Sequence, residues 1–518
     1  MDKEISLTTD QQRALDIVSS GENVLITGGA GVGKSFITTM IIDSLRSCGK
    51  KVIACASTAQ AADVIGGSTA HRTFKIPINM CWTCTPEAKV KDDPIVESDV
   101  IVIDEVSMLR IDVFDYMIKY IESANTIRGD KGKEAIQIIA VGDFAQLPPV
   151  LKRSNRLTQD EHTILSEHYG FDVGEGYAFR APSWSRCHFR FIELTEVVRQ
   201  DNKAMIDALN LIRLGDRSGM AFFKTSTRKT KFPSDRSGVV TLCSTKKAAD
   251  DINDKKVSLI SGDFKKYKAI EQGEVRSSDR CAPKCLNLRV GTQVLMIQNS
   301  ENYRNGQTGI VAALYDTYIS VDFGDGDPVD VFPQTWQTTE YVAEDEGEQK
   351  SLRLKVIGEF TQLPLRIGYA ITIHKAQGKT LDCVELNIGK NGAIFAFGQL
   401  YVALSRAKDA KKLHISGDLD KVDILASEEV VDFYKNKGQI AAPEPFLKEE
   451  EMVTMDDASD DDDQVAIKCA PIIGGLAASY AHGLDDNAAY DGDSIKVAAK
   501  HEEQVKQYIE TLKEQFKF

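Results

Sequence analysis

The chain has 518 residues, 42% hydrophobic and 27% charged, which suits two to four domains of ordinary soluble composition. No apolar run is long enough to cross a bilayer, and Met1-Asp2-Lys3-Glu4 opens neither a secretion signal nor an Arg-rich transit peptide. No membrane role is expected, and a soluble, intracellular protein is the default expectation. The net charge of −14 is uneven: Glu449–Phe518 holds 17 carboxylates against 6 lysines, leaving 60 acids and 57 bases in the body. That balance is compatible with a local basic groove for nucleic acid.

In chain order, Val24-Leu25-Ile26 reads as a buried strand, and Phe36 to Ile42 has helical spacing with no Gly or Pro. Between them, Gly28-Gly29-Ala30-Gly31-Val32-Gly33-Lys34-Ser35 fits the phosphate-cradling pattern G-x-x-x-x-G-K-[ST]. The glycines let the backbone wrap phosphates at a helix N-terminus, Lys34 can reach the terminal phosphates, and Ser35 can ligate Mg²⁺. A nucleoside triphosphate, ATP with Mg²⁺, is the expected ligand. Val52–Cys55 and Val100–Ile103 continue the strand series, and the latter ends in Asp104-Glu105. Asp104 would hold the metal shell and Glu105 would activate the attacking water.

Ile136–Val141 is the next strand and leads into Gly142-Asp143-Phe144-Ala145-Gln146-Leu147-Pro148-Pro149. Gln146 reads either as a sensor of the γ-phosphate or attacking water, or as part of a proline-stiffened loop. Residues 1–190 thus form an α/β unit with a parallel sheet. A second such set covers 191–297 and 363–440, including Val239–Cys243 and Val384–Ile388. Between its halves, 298–362 shows short alternating runs broken by Gly324-Asp325-Gly326-Asp327-Pro328, as a small antiparallel insert would.

Ten cysteines read as reduced thiols; Cys81/Cys84 and Cys281/Cys285 are too far apart in sequence for a zinc site to be preferred. Residues 441–494 read as an acidic disordered linker, with nine carboxylates between Glu449 and Asp463. In 495–518, Val505, Tyr508, Ile509, Leu512 and Phe516 mark one apolar helical face. That helix either docks on the body or binds a partner.

Taken together, Asp104-Glu105-Val106-Ser107-Met108 and Gly142–Pro149 resemble the superfamily 1 helicases, in the Pif-type and Dda-type (superfamily 1B, RecD-like) branch. Leu7–Ala14 is similar to the family's adenine-reading Q motif, with Gln11 at the matching place. Glu193–Gln200 resembles the motif that carries an arginine finger, Arg199. Ile371–Thr380 and Tyr401–Ala407 resemble the last two motifs, the second offering Arg406 as a phosphate-sensing arginine. Many motifs in a fixed order over about 5–416 make the resemblance specific; the tail after about 440 matches none.

The resemblance implies two RecA-like P-loop domains, a small wedge insert at about 73–97 in the first, an SH3-like insert in the second, and an acidic tail. Lys34, Asp104, Glu105 and Gln146 would face Arg199 and Arg406 across an ATP cleft. Thr58, His71, Thr372, His374 and Lys375 lie in motifs that contact the nucleic-acid strand. Phe74 and Trp82 are offered either as stacking or splitting groups or as core residues. The implied activity is an ATP-dependent DNA helicase moving 5′→3′ on single-stranded DNA and acting at forks in replication, recombination or repair. A replication or single-strand-binding protein is the partner implied for the tail. Two other readings stand beside it: a translocase that strips proteins with little unwinding, and a non-catalytic subunit with a degenerate ATPase.

Overall fold

The computed structural model describes residues 7–77, 81, 84–151, 161–197, 202–227, 237–324, 326–346, 349–389, 394–417, 424–440, 464–468, 489–490 and 494–498. They fall into two units, Met1–Val150 with Glu175–Ala442 and Leu151–Gly174 with Pro443–Phe518.

The larger unit begins with a six-stranded sheet in the order β3-β2-β4-β5-β1-β6. Its strands are β1 (Val24–Gly28), β2 (Val52–Ala56), β3 (Ser68–Thr69), β4 (Val100–Asp104), β5 (Gln137–Val141) and β6 (Arg190–Leu194). Every pairing is parallel. Strands β1, β2, β4 and β5 are buried along their whole length, which is why they read as continuous apolar runs rather than alternating ones. The helix Lys34–Ser47 covers the sheet with Ile37, Ile41 and Leu45, one face at four-residue spacing. Because all strands run one way, the carboxyl ends of β1, β4 and β5 open on the same edge, where α/β sheets take their ligands.

The first lobe extends past the expected limit at residue 190. Strand β6 pairs with β1, and Thr195 then donates from its N–H and Oγ1 to Asp10 Oδ2 at 3.0 and 2.6 Å. The chain through Val197 therefore stays with the first lobe.

The second lobe begins with the helix Lys203–Arg213, and β7 (Val239–Cys243) is the first strand of its sheet. The β insert follows earlier than expected, with β8 (Lys265–Lys268), β9 (Ile270–Gly273), β10 (Cys285–Leu288) and β11 (Gln293–Met296). It continues through β12 (Thr308–Leu314), β13 (Ile319–Asp322), β14 (Val329–Val331), β15 (Gln334–Glu346), β16 (Gln349–Gln362) and β17 (Leu365–Ile367). Strands β14-β13-β12-β11-β17 form one antiparallel sheet, and β15-β16-β9 another. The insert thus spans about 265–367 rather than 298–362. Strand β11 is buried throughout, so its sequence mimics a parallel-sheet strand although it pairs antiparallel with β12 and β17. The hairpin β15–β16 reaches the first lobe, where Tyr341 Oη accepts the Ala54 N–H at 2.8 Å. Strand β3 pairs with β2 only at Cys55 and Ala56, so this hydroxyl serves a backbone donor that the neighbouring strand leaves over.

Strands β18 (Ala370–Thr372), β19 (Cys383–Gly389) and β20 (Leu413–Gly417) complete a four-stranded parallel sheet in the order β18-β7-β19-β20. The helix Glu428–Lys435, expected within the second lobe, packs on the first lobe instead: the Phe433 ring lies 4.5 Å from Phe179 and 5.1 Å from Phe144. In the expected wedge, Phe74 is fully buried and meets Tyr120 edge-on at 6.0 Å, so it is a core residue. Trp82 lies outside the described residues. Cys81 is buried and donates to Asp112 Oδ2 at 2.7 Å, and among the described residues no group of three or more His, Cys, Asp and Glu is placed to hold a metal.

In the smaller unit, β21 (Gln464–Lys468), β22 (Ala489–Tyr490) and β23 (Ser494–Ala498) form an antiparallel sheet in the order β21-β23-β22. Two of these strands fall inside the expected disordered linker, and β23 overlaps the start of the expected helix at 495–518. The acidic composition masked two period-2 segments whose register sets Val465 opposite Val497 and Ile467 opposite Ile495. The acidic run 449–463 and residues 499–518 lie outside the described residues.

Candidate active site

The phosphate loop follows β1 and turns into the helix Lys34–Ser47. Gly28 and Gly33 have φ of +147° and +83°. A Cβ on Gly28 would lie 2.4 Å from Leu194 O, so only glycine fits there. Lys34 Nζ donates to Gly28 O and Gly29 O at 2.8 and 3.0 Å, which folds its ammonium over the loop. With Ala30, Gly31 and Val32, these residues form a cradle shaped for phosphate oxygens at a helix N-terminus. Gln11 lies behind the loop, donating to Val32 O at 3.1 Å and accepting the Thr8 N–H at 3.1 Å. Its side chain braces the loop and caps the helix Thr9–Ser19.

Beside the loop, β4 ends in Asp104, whose Oδ1 accepts the Glu105 N–H at 2.9 Å, while Glu105 takes a left-handed φ of +51°. Burial and the adjacent Glu105 push the Asp104 carboxyl up to about 7. Burial also raises Glu105, against the pull of Lys34 and with a push from Asp143. Asp104 is buried and Glu105 half-buried, and a divalent cation would relieve the crowding of the two carboxylates. Among the described residues no group of three or more His, Cys, Asp and Glu is placed to hold a metal. Ser35 and Asp104 both line the cleft, and their oxygens would suit the open type of Mg²⁺ site in which phosphates and water supply the remaining ligands.

After β5, Gln146 donates from Nε2 to Asp143 Oδ2 at 3.1 Å. Asp143 is fully buried, and Arg213 binds its Oδ1 through Nε and Nη2 at 3.2 and 3.0 Å. Tyr434 Oη donates to the same oxygen at 2.9 Å. Burial alone would raise the Asp143 carboxyl, but Arg213, Lys34 and these hydrogen bonds outweigh it and hold the carboxyl below its ordinary range.

Across the cleft, Arg406 is 1% exposed. Its Nε donates to Val402 O at 2.8 Å, Nη2 to Ser405 Oγ at 2.7 Å, and Nη1 to Ala376 O and Lys379 O at 3.3 Å each. Tyr401, one turn before it, accepts the Ala30 N–H at 2.6 Å. A cleft of about 620 Å³ brings together Lys34, Ser35, Asp104, Glu105 and Gln146 from one lobe with Arg406, His374 and Lys375 from the other, and Thr58 also lines it.

Several expected residues do not line this cleft, among them Gly28, Gly29 and Val32 of the loop itself. Gln11 is behind the loop, while His71 and Thr372 do not line this cleft. Thr58 and Thr372 play matching parts, each accepting an N–H of its following helix at 3.2 Å, from Ala61 and Lys375. His71 and His374 are half-buried, and burial draws both imidazoles below their usual range. Arg199 lies outside the described residues; the chain before it, through Val197, belongs to the first lobe rather than the second. Sequence reasoning missed Asp143, Arg213, Tyr401 and Tyr434. It also missed Arg366 and Lys379, which bring further positive charge to the cleft. Asp143, Tyr401 and Lys379 lie within the motif segments Gly142–Pro149, Tyr401–Ala407 and Ile371–Thr380 and were within reach; Arg213, Arg366 and Tyr434 carry no local signal.

Comparison with known proteins finds relatives over most of the chain. The PIF1-like helicase family model matches residues 6–209. The chain is 31% identical over 453 residues to the ATP-dependent DNA helicase PIF1 of Xenopus laevis, covering 84% of this chain and 65% of that one. It is 31% identical over 430 residues to the ATP-dependent DNA helicase Pif1 of Campylobacter jejuni, covering 77% of this chain and 90% of that one. The chain therefore spans just under two thirds of the frog relative's length. Among solved structures, Bacteroides sp Pif1 in complex with ADP-AlF4 is similar at a TM-score of 0.69 and 28% identity, over 84% of this chain and 97% of that one. A Bacteroides Pif1 complex with ADP-AlF3 and ssDNA is similar at a TM-score of 0.56.

Proposed function

Because the chain belongs to the PIF1-like helicase family, we propose that it is an ATP-dependent DNA helicase that moves along single-stranded DNA and opens duplexes at forks. One observation carries this reading: Lys34, Asp104, Glu105 and Gln146 share a cleft with Arg406, which belongs to the opposite lobe.

The phosphate loop Gly28–Ser35 holds the triphosphate, with Lys34 on its terminal phosphates and Gln11 supporting the loop from behind on the adenine side. Ser35 and Asp104 would hold Mg²⁺, whose charge neutralises the phosphate oxygens. Glu105 takes the proton of the attacking water, and Gln146 orients that water. Arg406, and Arg199 by resemblance, bring positive charge toward the transferred phosphoryl group, an effect of roughly 10³–10⁵ in rate where it has been measured. Loss of that group removes what the two lobes share, and they part.

Thr58 and His71 on the first lobe, and Thr372, His374 and Lys375 on the second, grip the strand in alternation, so each cycle becomes a step. Travel is 5′→3′, the role lies in replication, recombination or repair, and the tail recruits a replication or single-strand-binding protein. A strand-displacement assay on 5′-tailed, 3′-tailed and RNA substrates tests the reading. ATP-dependent release from the 5′-tailed DNA alone is expected, and release without ATP, or from the 3′-tailed DNA only, would overturn it.

A further inference from the structure

Asp143 collects more donors than any group facing the cleft, yet it does not itself line that cleft. Its Oδ1 takes Arg213 Nε and Nη2, Tyr434 Oη at 2.9 Å and the Ala145 N–H at 3.2 Å. Its Oδ2 takes Gln146 Nε2 at 3.1 Å. An ionised carboxylate only accepts, so Gln146 must turn its amide nitrogen to Asp143, which leaves Oε1 available to accept from water.

The side-chain donors on Oδ1 come from distant parts of the chain. Arg213 ends the helix Lys203–Arg213, whose Met205, Ala208, Leu209 and Ile212 lie in the second lobe's core. Its Nη1 also reaches Glu193 Oε1 at 2.8 Å, and its guanidinium lies 4.3 Å over the Tyr434 ring. Tyr434 stands on the helix Glu428–Lys435 and, while donating to Asp143, accepts the Phe144 N–H at 3.1 Å and lies 2.8 Å from Thr27 Oγ1.

We propose that Tyr434 and Arg213 are positioning residues for Gln146: they hold Asp143 so that the Gln146 carboxamide keeps its oxygen toward the attacking water, and they do so only while the second lobe and the helix Glu428–Lys435 are docked. The inference rests on the ATPase reading above. It makes the water-orienting state of Gln146 depend on segments that never touch the nucleotide.

Tyr434→Phe removes the hydroxyl and little else. DNA-stimulated ATP hydrolysis by the full chain should lose about tenfold in kcat with KM for ATP within about twofold, the scale of one hydrogen bond to a charged group. In a Gln146→Ala background the same substitution should have no further effect, because the two act as a unit. Apart from turnover, hydrogen exchange of the 143–147 amides in nucleotide-free protein should speed up about tenfold, since the Phe144 N–H loses its acceptor. An unchanged kcat, an equal fall in the Gln146→Ala background, or unchanged exchange would each overturn the proposal. Should Tyr434→Phe fail to fold, Arg213→Lys must give the same kcat loss, steady KM and non-additivity, and its failure to do so overturns the proposal. A wild-type protein with no DNA-stimulated hydrolysis would instead remove the helicase reading, and the exchange measurement would still decide whether the Asp143 hub exists.

Discussion

Tyr401 Oη accepts the Ala30 N–H at 2.6 Å, a bond between the second lobe and the middle of the phosphate loop across 371 residues of sequence. Both groups are buried. The lobes therefore meet at the loop itself and not only at their rims.

Tyr401→Phe keeps the ring and strands a buried backbone donor, which costs about 1–3 kcal/mol. The midpoint of chemical unfolding should fall accordingly, and KM for ATP should rise several-fold as the loop loosens. An unfolding curve that overlays the wild type would show that the contact carries no stability.

Arg406 donates to three backbone carbonyls and Ser405 from a buried position, so Arg406→Ala would empty a packed site and confound catalysis with folding, although Ala376 O keeps the Lys379 N–H and Val402 O keeps Ser405 Oγ. Arg406→Lys is the cleaner variant, keeping the charge and losing the fork. It should cut kcat about 10²-fold while the affinity for a fluorescent nucleotide stays within about threefold. Equal loss of binding and turnover would take Arg406 out of the transition-state role.

What was legible in sequence was local. The loop Gly28–Ser35 and the pair Asp104-Glu105 each lie within one strand-to-helix or strand-to-turn segment, and their spacing alone places them at the sheet's carboxyl edge. Gln146 was visible but ambiguous, because what aims it is remote: Tyr434 reaches Asp143 across 291 residues and Arg213 across 70. No periodicity encodes such pairings. The insert was mislocated at its start for a related reason, since β11 is buried on both faces and reads like a strand of a parallel sheet.

Lys379 is 3% exposed, and burial with the nearby Arg366 charge draws its ammonium down to about 7. Between that value and the ordinary lysine range the unfolded chain binds more protons than the folded one, so this group makes stability rise with pH across that window. Lys379→Met removes the buried charge. The variant should be more stable than wild type at pH 6, by roughly 2–4 kcal/mol, and the advantage should fade as pH climbs from 7 toward 10. Parallel stability curves from pH 6 to 10 would show that Lys379 is not a buried charge.

Tyr341 ties the hairpin β15–β16 to the first lobe at Ala54, and Ser68 Oγ donates to Thr339 O at 2.6 Å beside it. Tyr341→Phe should free the hairpin enough to speed limited proteolysis within 334–362, with basal ATP hydrolysis retained. Unchanged cleavage would mean that the neighbouring contacts hold the hairpin without that hydroxyl.

The central claim is that Lys34 and its loop power movement on DNA. The direct measurement is ATP hydrolysis with and without single-stranded DNA, for the wild type and Lys34→Ala. The account predicts strong stimulation by DNA in the wild type and a loss of at least about 10²-fold in the variant. Near-normal turnover by Lys34→Ala, or wild-type turnover indifferent to DNA, would contradict it.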